Sequence, residues 1–236
     1  PGAEWTLFLN AGGIRRSGPN RLWTRAARAL AAHGKPSLRF DVRDVGDSDG
    51  ATEPHPDLEE MYSESAIRDA VQAYDWARSQ GAGVIDVVGL CSGSFLGIQL
   101  AARLQVRRAL LFNGLAFVWN DEARASGVTS HIGSSLFDGR RWRRLLTGRI
   151  NALTVASAIG AKAWMVAAKP FRRGARTNEV EALVRRVTGR GTLLHLVSSE
   201  GDPSAAYLER SGLPEHRPPL TILSGVDHTI RPLWAH

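Results

Sequence analysis

Several things are scarce in this 236-residue chain, and each scarcity excludes a class of protein. There is one cysteine, Cys91, which rules out an internal disulfide framework and a cysteine-built zinc site. No apolar run reaches the ~18 residues that a membrane-spanning helix needs, and the best stretch, 152–168, is broken by Lys162. The chain holds no His-x-x-x-His pair, no phosphate-binding loop and no Gly-x-Gly-x-x-Gly, so neither a metal nor another cofactor is expected. Internal repeats and low-complexity tracts are missing as well. Residues 1–4 run into a strand pattern without a basic segment or an apolar signal core, and a chain opening at Pro1 is expected to be a fragment. With 43% apolar and 22% charged residues, the sequence reads as one folded domain, soluble and housed in a reducing compartment, the cytoplasm.

Charge is present but uneven. The net charge is +7, yet residues 138–190 alone carry 13 Lys and Arg against 3 Asp and Glu, which leaves the rest of the chain acidic on balance. Such a block reads either as a solvated helical face or as a docking surface for an acidic partner. Nucleic acid is not expected, because neither a helix-turn-helix nor an aromatic-rich binding motif accompanies it.

Short apolar strands alternate with helical stretches, the pattern of a mostly parallel sheet with helices on both faces. Strands are expected at 5–9, 37–40, 84–90, 106–112, 193–198 and 220–223, and helices at 19–32, 58–79 and 92–104. Gly81-Ala82-Gly83 reads as a turn. Residues 114–177 break the rhythm with a long basic segment holding Trp119, Trp142 and Trp164, which fits a helical lid inserted between strands. The expected division is therefore a core of 1–113 and 178–236, with 114–177 as the lid.

The passage Gly89-Leu90-Cys91-Ser92-Gly93 lies between a buried strand and a helix. It has the form Gly-x-nucleophile-x-Gly. A nucleophile on such a turn sits in a strained conformation, so the residues two positions away on either side must be small. Taking Ser92 as the nucleophile would put Leu90 in one of those positions, whereas the Cys91 frame puts Gly89 and Gly93 there. The helix start behind Cys91 adds positive potential that favours a thiolate.

A cysteine nucleophile needs a base, and the base needs an acid to orient it. His228 follows the last strand and is placed to reach Cys91. His33 and His55 look like helix-end and loop residues, His195 lies inside a strand, and His216 sits in a proline-rich connection. His131 falls in the lid, and His236 ends the chain. For the acid, Asp202 follows the strand at 193–198, with Glu200 beside it and Asp121 after the 106–112 strand as alternatives. Asn10-Ala11-Gly12-Gly13 follows the first strand, where the Ala11 or Gly12 amide and the Ser92 amide are candidate oxyanion donors.

These features together resemble the α/β-hydrolases, in the branch that uses cysteine in place of serine. The order Cys91, Asp202, His228 is similar to that superfamily's nucleophile, acid, histidine order. Phe40-Asp41-Val42-Arg43-Asp44-Val45-Gly46-Asp47-Ser48 resembles its loop after a helix-flanked strand. The Asn-Ala-Gly-Gly turn, the elbow and Glu200-Gly201-Asp202-Pro203 further resemble bacterial hydrolase-like proteins of exopolysaccharide (exosortase-linked) and natural-product gene clusters. The resemblance covers nearly the whole chain outside the lid. It departs from the family in lacking the usual first strands and in ending eight residues after His228. What it implies is an α/β-hydrolase fold and an acyl-transfer enzyme working through a thioester: a thioesterase, acyltransferase or Dieckmann-type cyclase. In the cyclases the acid can follow an earlier strand, which keeps Asp121 open. A carrier-bound acyl group would suit cysteine, with the basic lid docking an acidic acyl or peptidyl carrier protein and the three tryptophans lining the acyl pocket. A simple carboxylester hydrolase and a non-catalytic binding protein on the same scaffold are the alternatives.

Overall fold

The computed structural model describes residues 2–49, 58–120, 123, 177–210, 218–232 and 234. Asp121, Trp142 and Trp164 lie outside them, as does nearly all of the expected lid. By compactness the chain divides into one unit of Pro1–Val118 with Thr177–His236 and another of Trp119–Arg176. Among the described residues, no helix is long and apolar enough to cross a membrane.

The first unit is built on six parallel strands: β1 (Ala3–Phe8), β2 (Ser37–Arg39), β3 (Ala82–Leu90), β4 (Arg108–Phe112), β5 (Leu193–Ser199) and β6 (Leu220–Leu223). Their spatial order is β2-β1-β3-β4-β5-β6. The helices are α1 (Leu22–Ala32), α2 (Leu58–Met61), α3 (Glu64–Ser79), α4 (Ser92–Arg103), α5 (Thr177–Gly189) and α6 (Pro203–Arg210). From β1 the chain steps outward to β2, then returns across β1 to β3 and proceeds the other way. The crevice at the carboxyl ends of β1 and β3 is thus the switch point of the sheet, where open α/β folds hold their ligands.

β3 is apolar apart from Asp86 because it lies between two neighbours, and Ile85, Val87 and Leu90 are buried. α4 is buried along most of its length. It can lie that close because Gly97 has no side chain: a Cβ there would stand 2.6 Å from a methyl of Leu111.

Three local expectations are corrected. The helix expected at 19–32 opens with a separate 3-10 turn, Pro19–Arg21, in which Asn20 and Arg21 take positive φ. The single helix expected at 58–79 is two, because the Ser63 hydroxyl accepts the Ala66 N–H and caps a new start. Only Gly81 belongs to the turn that was expected to include Ala82 and Gly83. Both already lie in β3: Ala82 pairs with Ala3, and Gly83 falls at the register shift that follows, where a Cβ would stand 2.7 Å from the Gly2 backbone.

The loop after β2 folds back on the turn after β1. Asn10 Oδ1 accepts the Val42 N–H at 3.0 Å and Asn10 Nδ2 donates to Asp41 at 3.3 Å. Ser48 Oγ closes the loop on the Asp41 carbonyl at 2.6 Å. The Asn10–Gly13 turn is held from behind by these bonds.

Candidate active site

Cys91 occupies the junction of β3 and α4 with φ 57° and ψ −118°. That conformation is costly for a residue with a Cβ, on the order of 1–3 kcal/mol, and it persists because its surroundings determine it. The Cys91 N–H donates to the Phe112 carbonyl at 3.0 Å and the Cys91 carbonyl accepts the Ser94 N–H at 2.9 Å. Ser94 Oγ, fully buried, donates to Phe112 O at 2.7 Å. The flanking glycines have separate reasons. A Cβ on Gly89 would overlap the Gly93 carbonyl, and one on Gly93 would stand 2.6 Å from the Asn10 carbonyl.

His228 lies in the loop after β6. Its Nδ1 is 2.6 Å from Asp202 Oδ2, and its ring is also within hydrogen-bonding reach of the Cys91 sulfur. Burial, the largest single influence, disfavours the imidazolium. The hydrogen bond to Asp202 and then the interactions with Cys91 outweigh it, and the His228 pKa is pushed up to about 10. Asp202 is almost fully buried. Burial acts to raise its pKa, but the bonds from His228 and from the Ser204 N–H (2.9 Å to Oδ1) hold it below the ordinary carboxylate value. The local sequence explains its aim: Asp202 caps α6, with Pro203 at the first helical position.

Glu200 is exposed and uses its backbone N–H on the Leu223 carbonyl, so of these two neighbouring acids Asp202 is the one bonded to His228. Of the other described histidines, His33 bonds within α1 to the Ala29 carbonyl. His195 bonds to Thr221 between β5 and β6. Ala11 is buried and Gly12 half-buried at the turn after β1, and the Gly12 N–H donates to Ser92 Oγ at 2.7 Å. Trp119 is half-buried in the second unit.

Two residues not singled out in the sequence belong to the neighbourhood. Tyr62, between α2 and α3, is 6% exposed, packs at a tilt against Phe95 of α4 with ring centroids 5.1 Å apart, and has its hydroxyl within hydrogen-bonding reach of Cys91. Burial first, and then the Cys91 sulfur, push its pKa well up, so it stays protonated and able to donate. Asn113, fully buried at positive φ after β4, donates to the His228 carbonyl at 2.7 Å and to Ser199 Oγ at 2.9 Å. Its Oδ1 accepts the Ser199 N–H at 2.7 Å, while Ser199 Oγ donates to the Asp227 carbonyl at 2.8 Å. Asp227 Oδ1 in turn accepts the Thr229 and Arg231 N–H groups at 2.8 and 2.9 Å. Asn113-Gly114 in sequence signals only a turn, and nothing local to it points at a histidine 115 residues away.

A parallel sheet whose central strand ends in a strained residue at a helix start, with an acid and a histidine delivered by the loops after β5 and β6, is a known arrangement. The fold is that of the α/β-hydrolases. Solved structures of that fold match nearly the whole chain at low identity. A serine hydrolase without lid from Xanthomonas campestris is 16% identical at a TM-score of 0.53, covering 97% of this chain and 74% of its own. NosK from Streptomyces actuosus is 17% identical at 0.54, covering 98% and 91%. Proline iminopeptidase from Mycobacterium smegmatis is 15% identical at 0.53, covering 97% and 84%. No family model matches the sequence, and no curated protein matches it.

Proposed function

We propose that the protein is an acyl-transfer enzyme of the α/β-hydrolase fold whose nucleophile is Cys91, with His228 as base and Asp202 as its orienting acid. One observation carries the reading: a histidine whose two sides meet a buried carboxylate and a cysteine held at positive φ. His228, bonded to Asp202 and interacting with Cys91, takes the thiol proton and holds it as an imidazolium. The sulfur attacks an acyl carbonyl, an S–C bond forms, and the carbonyl electron pair moves to oxygen, where the amide of Ser92 at the start of α4 receives it. Collapse of the adduct breaks the bond to the leaving group, which takes the proton from His228. A thioester on Cys91 remains, for water or another nucleophile to discharge.

Cysteine favours activated acyl substrates, because exchange from one thioester to another is nearly thermoneutral. This supports a thioesterase, acyltransferase or cyclase in a biosynthetic pathway, in a reducing compartment such as the cytoplasm, over a simple ester hydrolase. Delivery by an acidic acyl carrier protein is proposed from the 138–190 charge alone, with Trp119, Trp142 and Trp164 near the acyl chain. Asp121 is retained as a candidate acid only through the family resemblance.

Intact-mass analysis after incubation with acyl thioesters tests the reading. An adduct of acyl mass on the wild type, lost in Cys91→Ala, is expected, together with alkylation by iodoacetamide at pH 6 that slows sharply in His228→Ala. Equal alkylation of wild type and His228→Ala would overturn the base assignment. Carrier-independent turnover of nitrophenyl esters with no accumulating adduct would favour the esterase.

A further inference from the structure

The Gly12 amide, an expected oxyanion donor, is already engaged: it donates to Ser92 Oγ at 2.7 Å, across 80 residues of chain. One N–H donates one good hydrogen bond, so in this arrangement it is not aimed at a substrate oxygen. The Ser92 hydroxyl has one proton and two lone pairs. One lone pair holds Gly12, and among the described residues its own proton has no acceptor. The residue is 3% exposed, so water does not readily supply one. Ser92 also opens α4 directly after Cys91, where its backbone N–H has no partner within the helix. Among the described residues, two donors with no partner therefore belong to one residue, adjacent to the sulfur.

We propose that Ser92 receives the substrate oxyanion twice, through its backbone N–H and through its side-chain Oγ–H, with Gly12 acting from behind by donating to that oxygen. Ser92 forms no covalent bond. Its hydroxyl proton turns to the carbonyl oxygen as negative charge develops there, and the Gly12 N–H, by polarising the hydroxyl, makes it a stronger donor. The glycine at position 12, with φ +57°, presents its amide to the serine, and the Met61 sulfur of α2 lies 3.8 Å from where a Gly12 Cβ would be. The assignment rests on the acyl-transfer reading and sharpens it: the oxyanion donors come from one residue beside the nucleophile instead of from two separate loops.

The test uses Ser92→Ala and Ser92→Thr with an octanoyl thioester of N-acetylcysteamine as probe, following acyl-enzyme formation by intact mass and, in parallel, alkylation of Cys91 by iodoacetamide, which develops no oxyanion. Removing one oxyanion donor slows acyl transfer by roughly 10²–10³-fold. Because the freed Gly12 amide substitutes in part, Ser92→Ala is expected to acylate about 10–100-fold more slowly while alkylating at the wild-type rate, and Ser92→Thr is expected to recover most of the loss. Acylation of Ser92→Ala at or above the wild-type rate would overturn the proposal, as would equal slowing of acylation and alkylation, which marks a structural strut. A wild type that forms no acyl adduct would instead defeat the acyl-transfer reading, and this proposal with it.

Discussion

Short ion pairs stand at both ends of the same sheet. At the amino edge, Arg107 reaches Asp86 at 2.7 Å and Glu4 at 2.6 Å. At the carboxyl edge, His228 meets Asp202 at 2.6 Å. Length does not distinguish them; burial and company do. Glu4 is about half exposed and the cluster ends in solvent, so it tethers the entry of β4 to β1 and β3 with the small net gain of a surface pair. The Asp202 side chain is 3% exposed, receives a second hydrogen bond from Ser204, and holds a histidine that also interacts with the Cys91 thiol. A carboxylate removed from water and bonded to an imidazole orients that ring and favours its charged form.

The sharpest way to break this comparison is to neutralise one acid at each end. Asp202→Asn is expected to slow acyl-enzyme formation by roughly 10²–10⁴-fold. Asp86→Asn should leave that rate unchanged and cost at most about 1 kcal/mol in urea unfolding. Comparable rate losses in both variants would erase the distinction.

Next in size is the strap behind the histidine. Asn113→Ala removes two bonds to Ser199 and one to the His228 carbonyl. With buried partners left unsatisfied at about 1–3 kcal/mol each, the variant should lose roughly 2–4 kcal/mol of stability. Acylation should fall with it, read by stopped-flow with a fluorogenic thioester. A stable variant with full activity would show that the loop after β6 holds its own shape.

Tyr62→Phe sharpens the comparison from the sulfur's side. Loss of one hydrogen bond, worth about 1 kcal/mol, should slow Cys91 alkylation about fivefold at pH 6 and leave the folded state intact by circular dichroism. An unchanged rate would remove Tyr62 from the chemistry.

A further expected effect is on stability against pH. His228 holds its proton to about 10 in the folded state, against about 6.5 unfolded. Its contribution is therefore complete below about pH 6.5 and is lost as the pH climbs towards 10. Asp202, held below its ordinary value, contributes above that value and loses the contribution as the pH falls through its lower folded pKa. Melting temperatures of wild type and His228→Gln should thus converge between pH 6.5 and 10, whereas a gap constant over that range would contradict the pairing.

Much of the fold could be read along the chain, and the errors fell at particular junctions. The turn at Cys91 was legible because its demands are local: a strand, a residue at positive φ, and glycines two positions away, each forced by a nearby carbonyl. The breaks at Ser63 and at Asn20-Arg21 were missed because a continuing apolar period hides a cap or a left-handed residue. Tyr62 and Asn113 were missed because neither carries a motif. Each matters through a partner far along the chain, Cys91 for one and the His228 carbonyl for the other.

From sequence alone came the alternation of strand and helix, the elbow at Cys91, and a short list of acids and histidines at one edge of a sheet. These depend on hydrophobic period and backbone sterics, which act over a few residues. Tertiary structure decided which acid turns to His228, that Gly12 gives its amide to Ser92, and that Asn113 ties the histidine loop to β5. Those choices hang on strand order and on hydrogen bonds a few ångströms long between residues 26 to 115 positions apart, and such distances exist only once the sheet has assembled.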